Sequence, residues 1–182
     1  MIGIRDTASV LQLQQKLKHA SKVIVIGNGG IATELVHELD NIDIVWAVKD
    51  DAISSVFLDP GASQFLLKQV GKEREKEEIA CKRSKYTVDT NILSHEDILG
   101  SALGPDWHQS LQSTGCGNTK TVDIKYNVYP RTILLKEEVD SSKYKDIGCH
   151  SVYVLFSDDT LVGADFVISA TGVKPSGQDF RY

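Results

Sequence analysis

Three glycines crowd into four positions, Gly27, Gly29 and Gly30, within the stretch KVIVIGNGGIATELVHEL that runs from Lys22 to Leu39. Glycine at that density strips side chains from the backbone, and a bare backbone lets a phosphate approach peptide N–H donors. The spacing is Gly27-x-Gly29-x-x-Ala32. In this pattern Gly27 serves a sharp turn, Gly29 admits a pyrophosphate, and Ala32 is small enough for a helix to pack on a sheet. Asn28, Gly30 and Ile31 complete the candidate loop. The chemistry implied is dinucleotide binding, and the pattern gains its force only between a strand and a helix.

The flanking residues supply that context. Val23, Ile24, Val25 and Ile26 are four consecutive β-branched residues, the pattern of a strand buried on both faces of a parallel sheet. After the glycines, Ile31, Leu35, Val36 and Leu39 fall on one side of a helix, and Ile42 to Val48 reads as a second apolar strand. Strand, turn, helix and strand make a βαβ unit, whose right-handed crossover sets the two strands parallel. The turn then aims its free N–H groups and the positive end of the helix dipole above the strand ends. Upstream, Asp6 or Thr7 can cap a first helix carrying Val10, Leu13 and Leu17.

The end of the second strand bears on which dinucleotide would bind, because a carboxylate about 20 residues after the first glycine accepts hydrogen bonds from the adenosine ribose. That position falls on or near Val48, followed by Lys49, Asp50 and Asp51. A cation there suits a 2′-phosphate and hence NADPH, whereas Asp50 suits NADH if the strand ends two residues later. Lys49 as a solvated side chain at a strand terminus is an equal reading, and the three stay open.

Beyond residue 52, Pro60 and Gly61 mark a helix start followed by an apolar stripe, and KEREKEE (Lys72 to Glu78) extends it as a solvated face with pairs such as Arg74 and Glu78. The short basic patch CKRSKY, Cys81 to Tyr86, reads as a surface strand or loop rather than an RNA contact. Residues 87–118 carry turn signals and few periodic runs, and read as an insertion or long loop. Within it, Trp107 is expected to pack and His108 to lie at the surface, since no nucleophile motif accompanies them.

The chain then turns to β. TKTVDIKYNVYP alternates apolar and polar residues, TILLKEEV is expected to pair with it, and SVYVLFSDDTLVGADFVISATG supplies further strands around an Asp158-Asp159 turn. The expectation is a three-stranded antiparallel meander over the parallel sheet, with Phe166 to Ala170 returning into that sheet. Its closing turn, Ala170-Thr171-Gly172, would face the Gly27 loop across one ligand crevice.

Composition narrows the classes. With 182 residues, 41% of them hydrophobic, the chain can bury a real core, most simply as one domain. A net charge of −5 gives no overall attraction for nucleic acid or an anionic membrane. No apolar run approaches a membrane span and the N-terminus lacks a signal-peptide pattern, so an intracellular setting, cytoplasmic or nuclear, is the expectation. Cys81, Cys116 and Cys149 are too few and too far apart for a disulfide framework or a zinc ribbon, and read as free thiols.

VIVIGNGGIATELVHEL followed by a β meander and DFVISATGVKP resembles the NAD(P)H-binding domain of the pyridine nucleotide-disulfide oxidoreductases, the two-dinucleotide flavoproteins. GIRDTAS, VWAVKD and GSALGPDWH extend the likeness over nearly the whole chain. The fold expected is α/β, a Rossmann-like NAD(P)-binding domain over residues 1–175 with a parallel sheet, flanking helices and an antiparallel meander. The resemblance implies that Gly27, Gly29 and Ala32 cradle the NAD(P)H pyrophosphate, that Glu34 sits by the nicotinamide end, and that Gly172, after Thr171, closes the far side. It implies FAD on a separate flavin domain, to which the nicotinamide delivers hydride.

The departures shape the expectation. Gly30 stands where many relatives place a bulky gate residue, often Tyr. There is one Gly-rich fingerprint where the family has two, there is no CxxxxC redox pair, and residues 176–182 do not resemble the family's continuation. The chain therefore reads as the nucleotide domain of a larger flavoenzyme, its FAD domain a partner outside this sequence, expected to bind NAD(P)H without turnover. Two alternatives remain at this stage: a flavin-independent dehydrogenase, for which no Tyr-x-x-x-Lys is present, and a non-catalytic nucleotide-binding or interaction module.

Overall fold

The computed structural model describes residues 1–4, 7–70, 114–139, 144 and 148–172. Asp6, the charged run 72–78, the basic patch 81–86, Trp107 with His108, Cys81 and the 176–182 tail lie outside the described residues.

The first βαβ unit forms as the apolar pattern requires. Strand β2 (Lys22–Ile26) buries Val23, Ile24, Val25 and Ile26, helix α2 (Gly30–Glu38) buries Ala32, Leu35 and Val36, and strand β3 (Asp43–Ala47) buries its last four residues. They pair in parallel, Val23 opposite Ile44 and Ile26 opposite Ala47. Ile31 departs from the expected helix face: it is exposed beside the glycine loop, so the buried stripe of α2 begins at Ala32.

Ahead of this unit lie β1 (Ile2–Gly3) and α1 (Thr7–Leu17), which buries Leu13 and Leu17. Helix α3 (Pro60–Leu67) follows β3; the Asp59 carboxylate accepts from the N–H groups of Gly61 and Ala62 and caps it, with Pro60 in the first turn. The expected apolar stripe of α3 is only partly used: Leu66 packs on the core while Phe65 and Leu67 are exposed.

Strands β4 (Thr121–Lys125) and β8 (Phe166–Ser169) complete a five-stranded parallel sheet in the order β1-β8-β2-β3-β4. A separate antiparallel sheet comprises β5 (Pro130–Leu135), β6 (Val152–Phe156) and β7 (Leu161–Ala164), in that order. This corrects one expectation. The segment 121–125 does not pair with the following strand; it runs parallel to β3 at the sheet edge, Val122 opposite Ile44 and Ile124 opposite Trp46. An edge strand with Val122 and Ile124 turned to the core and Thr121 and Asp123 more open alternates in the way a meander strand does, so the pattern could not separate the two. The meander is built instead from β5, β6 and β7, and β8 does return to the parallel sheet.

Alternation along the central strands divides the core. Val23, Val25, Ile44, Trp46 and Ile168 face the helices and pack with Leu17, Leu35 and Val36. Ile24, Ile26, Val45, Ala47 and Val167 face the meander and pack with Val152, Val154 and Phe156. The sheet is thus covered by helices on one face and by the small antiparallel sheet on the other, which leaves the loops at its C-terminal edge as the uncovered rim. The far end of the 87–118 stretch is laid against the start of β3, with Cys116 N–H donating to Ala20 (2.9 Å) and Gly117 N–H to Asn41 (2.8 Å).

Candidate functional site

The C-terminal edge of the sheet gathers the Gly27 loop, the turn after β3, the loop after β4 and the turn after β8. Gly27 adopts φ +138°, and its N–H donates to the Ala47 carbonyl at 3.1 Å. A Cβ at this position would collide with the Ala170 carbonyl, so glycine is required here by the approach of the β8 turn as well as by its own dihedral. Ala170 N–H in turn donates to Ile26 (2.8 Å). The two turns expected to share a crevice are therefore side by side.

Gly29 and Gly30 differ from Gly27. Among the described residues nothing lies within 4 Å of where a Cβ would stand on either, and the same holds for Gly172, which has φ +89°. Gly172 is fixed as glycine by its own dihedral, but at Gly29 and Gly30 no described protein group demands bareness, and these two lead into the N-terminus of α2, where unpaired N–H groups and the helix dipole favour an anion. Space that a side chain would fill, beside donors suited to phosphate, fits the pyrophosphate of a dinucleotide.

Around this opening the backbone is tied from below. The buried Trp46 indole N–H donates to the Gly27 carbonyl (2.7 Å). Thr33 donates to the Gly29 carbonyl from both its N–H and its hydroxyl (3.1 Å each), and its hydroxyl also meets that of Ser54 at 2.7 Å. Asn28 is buried: its amide nitrogen is within 2.8 Å of the Asp50 carboxylate, 2.9 Å of the Ala52 carbonyl and 2.9 Å of the Ser55 hydroxyl, while its amide oxygen accepts from Ser54 N–H at 2.5 Å. Ser54 holds a left-handed φ of 57°, a conformation that costs a non-glycine residue about 1–2 kcal/mol and is maintained by its neighbours.

The remaining candidates are placed as follows. Ile31 and Glu34 are exposed on the first turns of α2, beside the opening, and Ala32 is fully buried against the sheet. Val48 has its side chain in the helix-face core, so its backbone alone lies at the rim. Lys49 is exposed and Asp50 half-buried; the Asp50 carbonyl accepts from Asn127 N–H (3.1 Å) in the loop after β4. Tyr126, which leads into that loop, is partly buried, and burial pushes its phenol above the ordinary value. Thr171 is exposed, with its hydroxyl 3.3 Å from that of Ser169.

Sequence reading missed Trp46, Thr33, Ser54 and Ser55. A Trp at a buried strand end must find an acceptor for its N–H, which is a usable signal; the serines carry none. Among the described residues no group of His, Cys, Asp and Glu could hold a metal ion, and no helix is long and apolar enough to cross a membrane. Cys116 and Cys149 are exposed free thiols.

No family model matches the chain. Among curated proteins it is 40% identical to pyridine nucleotide-disulfide oxidoreductase domain-containing protein 1 of Danio rerio, over 99% of this chain and 38% of that protein. To the protein of the same name from Homo sapiens it is 36% identical, over 100% of this chain and 40% of that protein. The chain spans about two fifths of the length of these relatives. Among solved structures it is similar to a ferredoxin reductase from Rhodopseudomonas palustris, with TM-score 0.57 and 13% identity over 96% of this chain and 30% of that one. It is also similar to an engineered water-forming NADPH oxidase bound to NADPH, with TM-score 0.54 and 12% identity over 96% of this chain and 26% of that one. At such identities the structures speak to the fold alone, a Rossmann-type fold of FAD- and NAD(P)-dependent oxidoreductases. By sequence, over its whole length, the chain is homologous to the pyridine nucleotide-disulfide oxidoreductase domain-containing protein 1 group.

Proposed function

We propose that this chain is the NAD(P)H-binding portion of an FAD-dependent oxidoreductase and that, alone, it binds the nucleotide without turning it over. The observation that carries the reading is the bare rim: Gly29 and Gly30, whose backbone does not itself require glycine, each leave open the space a side chain would take at the start of α2. A merely structural Gly-rich turn would need only Gly27, whose Cβ position is already taken by Ala170.

In this reading the N–H groups at the start of α2 hold the pyrophosphate, and exposed Ile31 and Glu34 flank the nicotinamide end. Gly30, being bare, leaves the approach to that end ungated. The nicotinamide, when bound, supplies a hydride, and the flavin on its own domain accepts it. The residues of this chain orient the nucleotide.

Titration of the purified chain with NADH and NADPH by calorimetry, with an absorbance scan for flavin, tests the proposal. Saturable binding of one nucleotide per chain without a flavin spectrum is the expected outcome. A folded chain that takes up neither nucleotide would reduce the Gly27 loop to a turn.

A further inference from the structure

Asn28 sits inside the glycine fingerprint, yet its side chain turns away from the opening and into the protein. It places four polar groups of the segment 50–55 around one amide: the Asp50 carboxylate, the Ala52 carbonyl, the Ser54 N–H and the Ser55 hydroxyl. The amide nitrogen has two hydrogens for three acceptors, so its protons are shared and the cluster is held as a unit. Asp50 Oδ2 receives a second hydrogen bond from the Ser55 hydroxyl at 3.3 Å, and the Asp50 carbonyl is fixed by Asn127. A carboxylate 22 residues beyond Asn28, at the end of β3, is therefore held through one oxygen, which leaves the other to accept from a ligand.

We propose that Asn28 is a positioning residue: its buried amide fixes the Asp50 carboxylate at the rim, and the fixed carboxylate favours NADH over NADPH. The inference rests on the nucleotide-binding reading above. A carboxylate held at a strand end accepts hydrogen bonds from the two ribose hydroxyls and repels a 2′-phosphate. Lys49, its neighbour in the chain, opposes this; it is exposed on a flexible stem and so screened by solvent, whereas Asp50 is half-buried and braced. Because the amide touches both the loop and the carboxylate, it couples the pyrophosphate half of the site to the ribose half.

The test is the ratio of NADH to NADPH dissociation constants, measured by calorimetry for the wild type, Asn28→Ala, Ser55→Ala and Gly29→Val, with a thermal melt of each ligand-free protein. The wild type should prefer NADH by roughly tenfold or more, the size of one hydrogen bond to a charged group. Asn28→Ala should erase most of that preference, because the freed carboxylate rotates away from the ribose. Ser55→Ala, on an exposed residue, should reduce the preference about two- to threefold without disturbing the loop. This variant carries the test should Asn28→Ala fail to melt cooperatively. A loop that is simply looser would weaken both nucleotides equally, so an unchanged ratio in both variants overturns the proposal, as does a wild type that favours NADPH. In either case loss of all binding in Gly29→Val would leave the nucleotide-binding reading standing. A wild type that melts cooperatively and binds neither nucleotide overturns that reading, and the proposal with it.

Discussion

Gly27 and Gly29, two positions apart, are bare for opposite reasons, and their substitutions should separate stability from binding. At Gly27 the side-chain direction points into the Ala170 carbonyl and φ is +138°. Gly27→Ala should therefore lower unfolding stability by about 2–4 kcal/mol in urea titration, through strain and displacement of the β8 turn. At Gly29 the same direction is open, so Gly29→Val should melt near the wild-type temperature while losing NADH and NADPH binding by steric block. Normal affinity in that variant would remove the loop from the site. Trp46→Phe deletes the indole bond to the Gly27 carbonyl and leaves that carbonyl without this donor; a cost of about 1–2 kcal/mol is expected by the same measurement. The glycine spacing, legible in the sequence, located the loop. The reason for Gly27 was not legible, because the atoms it must avoid belong to a turn far away in the chain, and the inward course of Asn28 depends on acceptors supplied by residues 50–55.

Single elements were read well where one burial pattern permits one answer. Four apolar β-branched residues in β2, ended by glycine, favour a doubly covered strand, and the switch to helical spacing in α2 fixed the unit around the loop. Edges were read poorly: β4 alternates like a meander strand because an edge has one sheltered face, and the two residues of β1 carry no periodicity. The junction of β7 and β8 offers an element-scale prediction. The Asp165 carboxylate accepts from Ser21 N–H (2.7 Å), the Ser21 hydroxyl (3.2 Å) and Lys22 N–H (3.0 Å), clamping the start of β2 to the start of β8. Asp165→Ala should cost about 1–3 kcal/mol, read as a lower urea midpoint with an unchanged slope. His150 lies near this clamp, its ring against Gly163, and burial first, then the nearby Lys22 charge, push its pKa below the ordinary 6.5, with Asp165 opposing. Its folded value is depressed, so the unfolded chain binds the proton more readily; the contribution of His150 is present above about pH 6.5 and is lost as pH falls below it. The melting temperature of the wild type should accordingly drop more between pH 7 and pH 5 than that of His150→Gln.

At the scale of the whole molecule, a sheet covered by helices on one face and a meander on the other leaves its C-terminal edge as the place where loops meet, and a ligand there should tie the layers together. Saturation with NADH at a hundred times its dissociation constant should stabilise the chain by about 2.7 kcal/mol, seen as a rise of several degrees in melting temperature. Gly29→Val should show no such rise. The strand order β1-β8-β2-β3-β4 also bears on synthesis. Of the eight described strands, the one between β1 and β2 is made last, and Asp165 just before it, whose carboxylate clamps Ser21, stands 144 positions from that serine. As the chain leaves the ribosome, α1, β2, α2 and β3 can assemble early, but among the described strands β2 keeps one hydrogen-bonding edge bare and β1 has no strand to pair with until β8 emerges. The nascent protein thus carries a slot in the middle of its sheet, open to pairing with a neighbouring chain, and the glycine loop cannot take its final shape until the segment that fills the slot arrives.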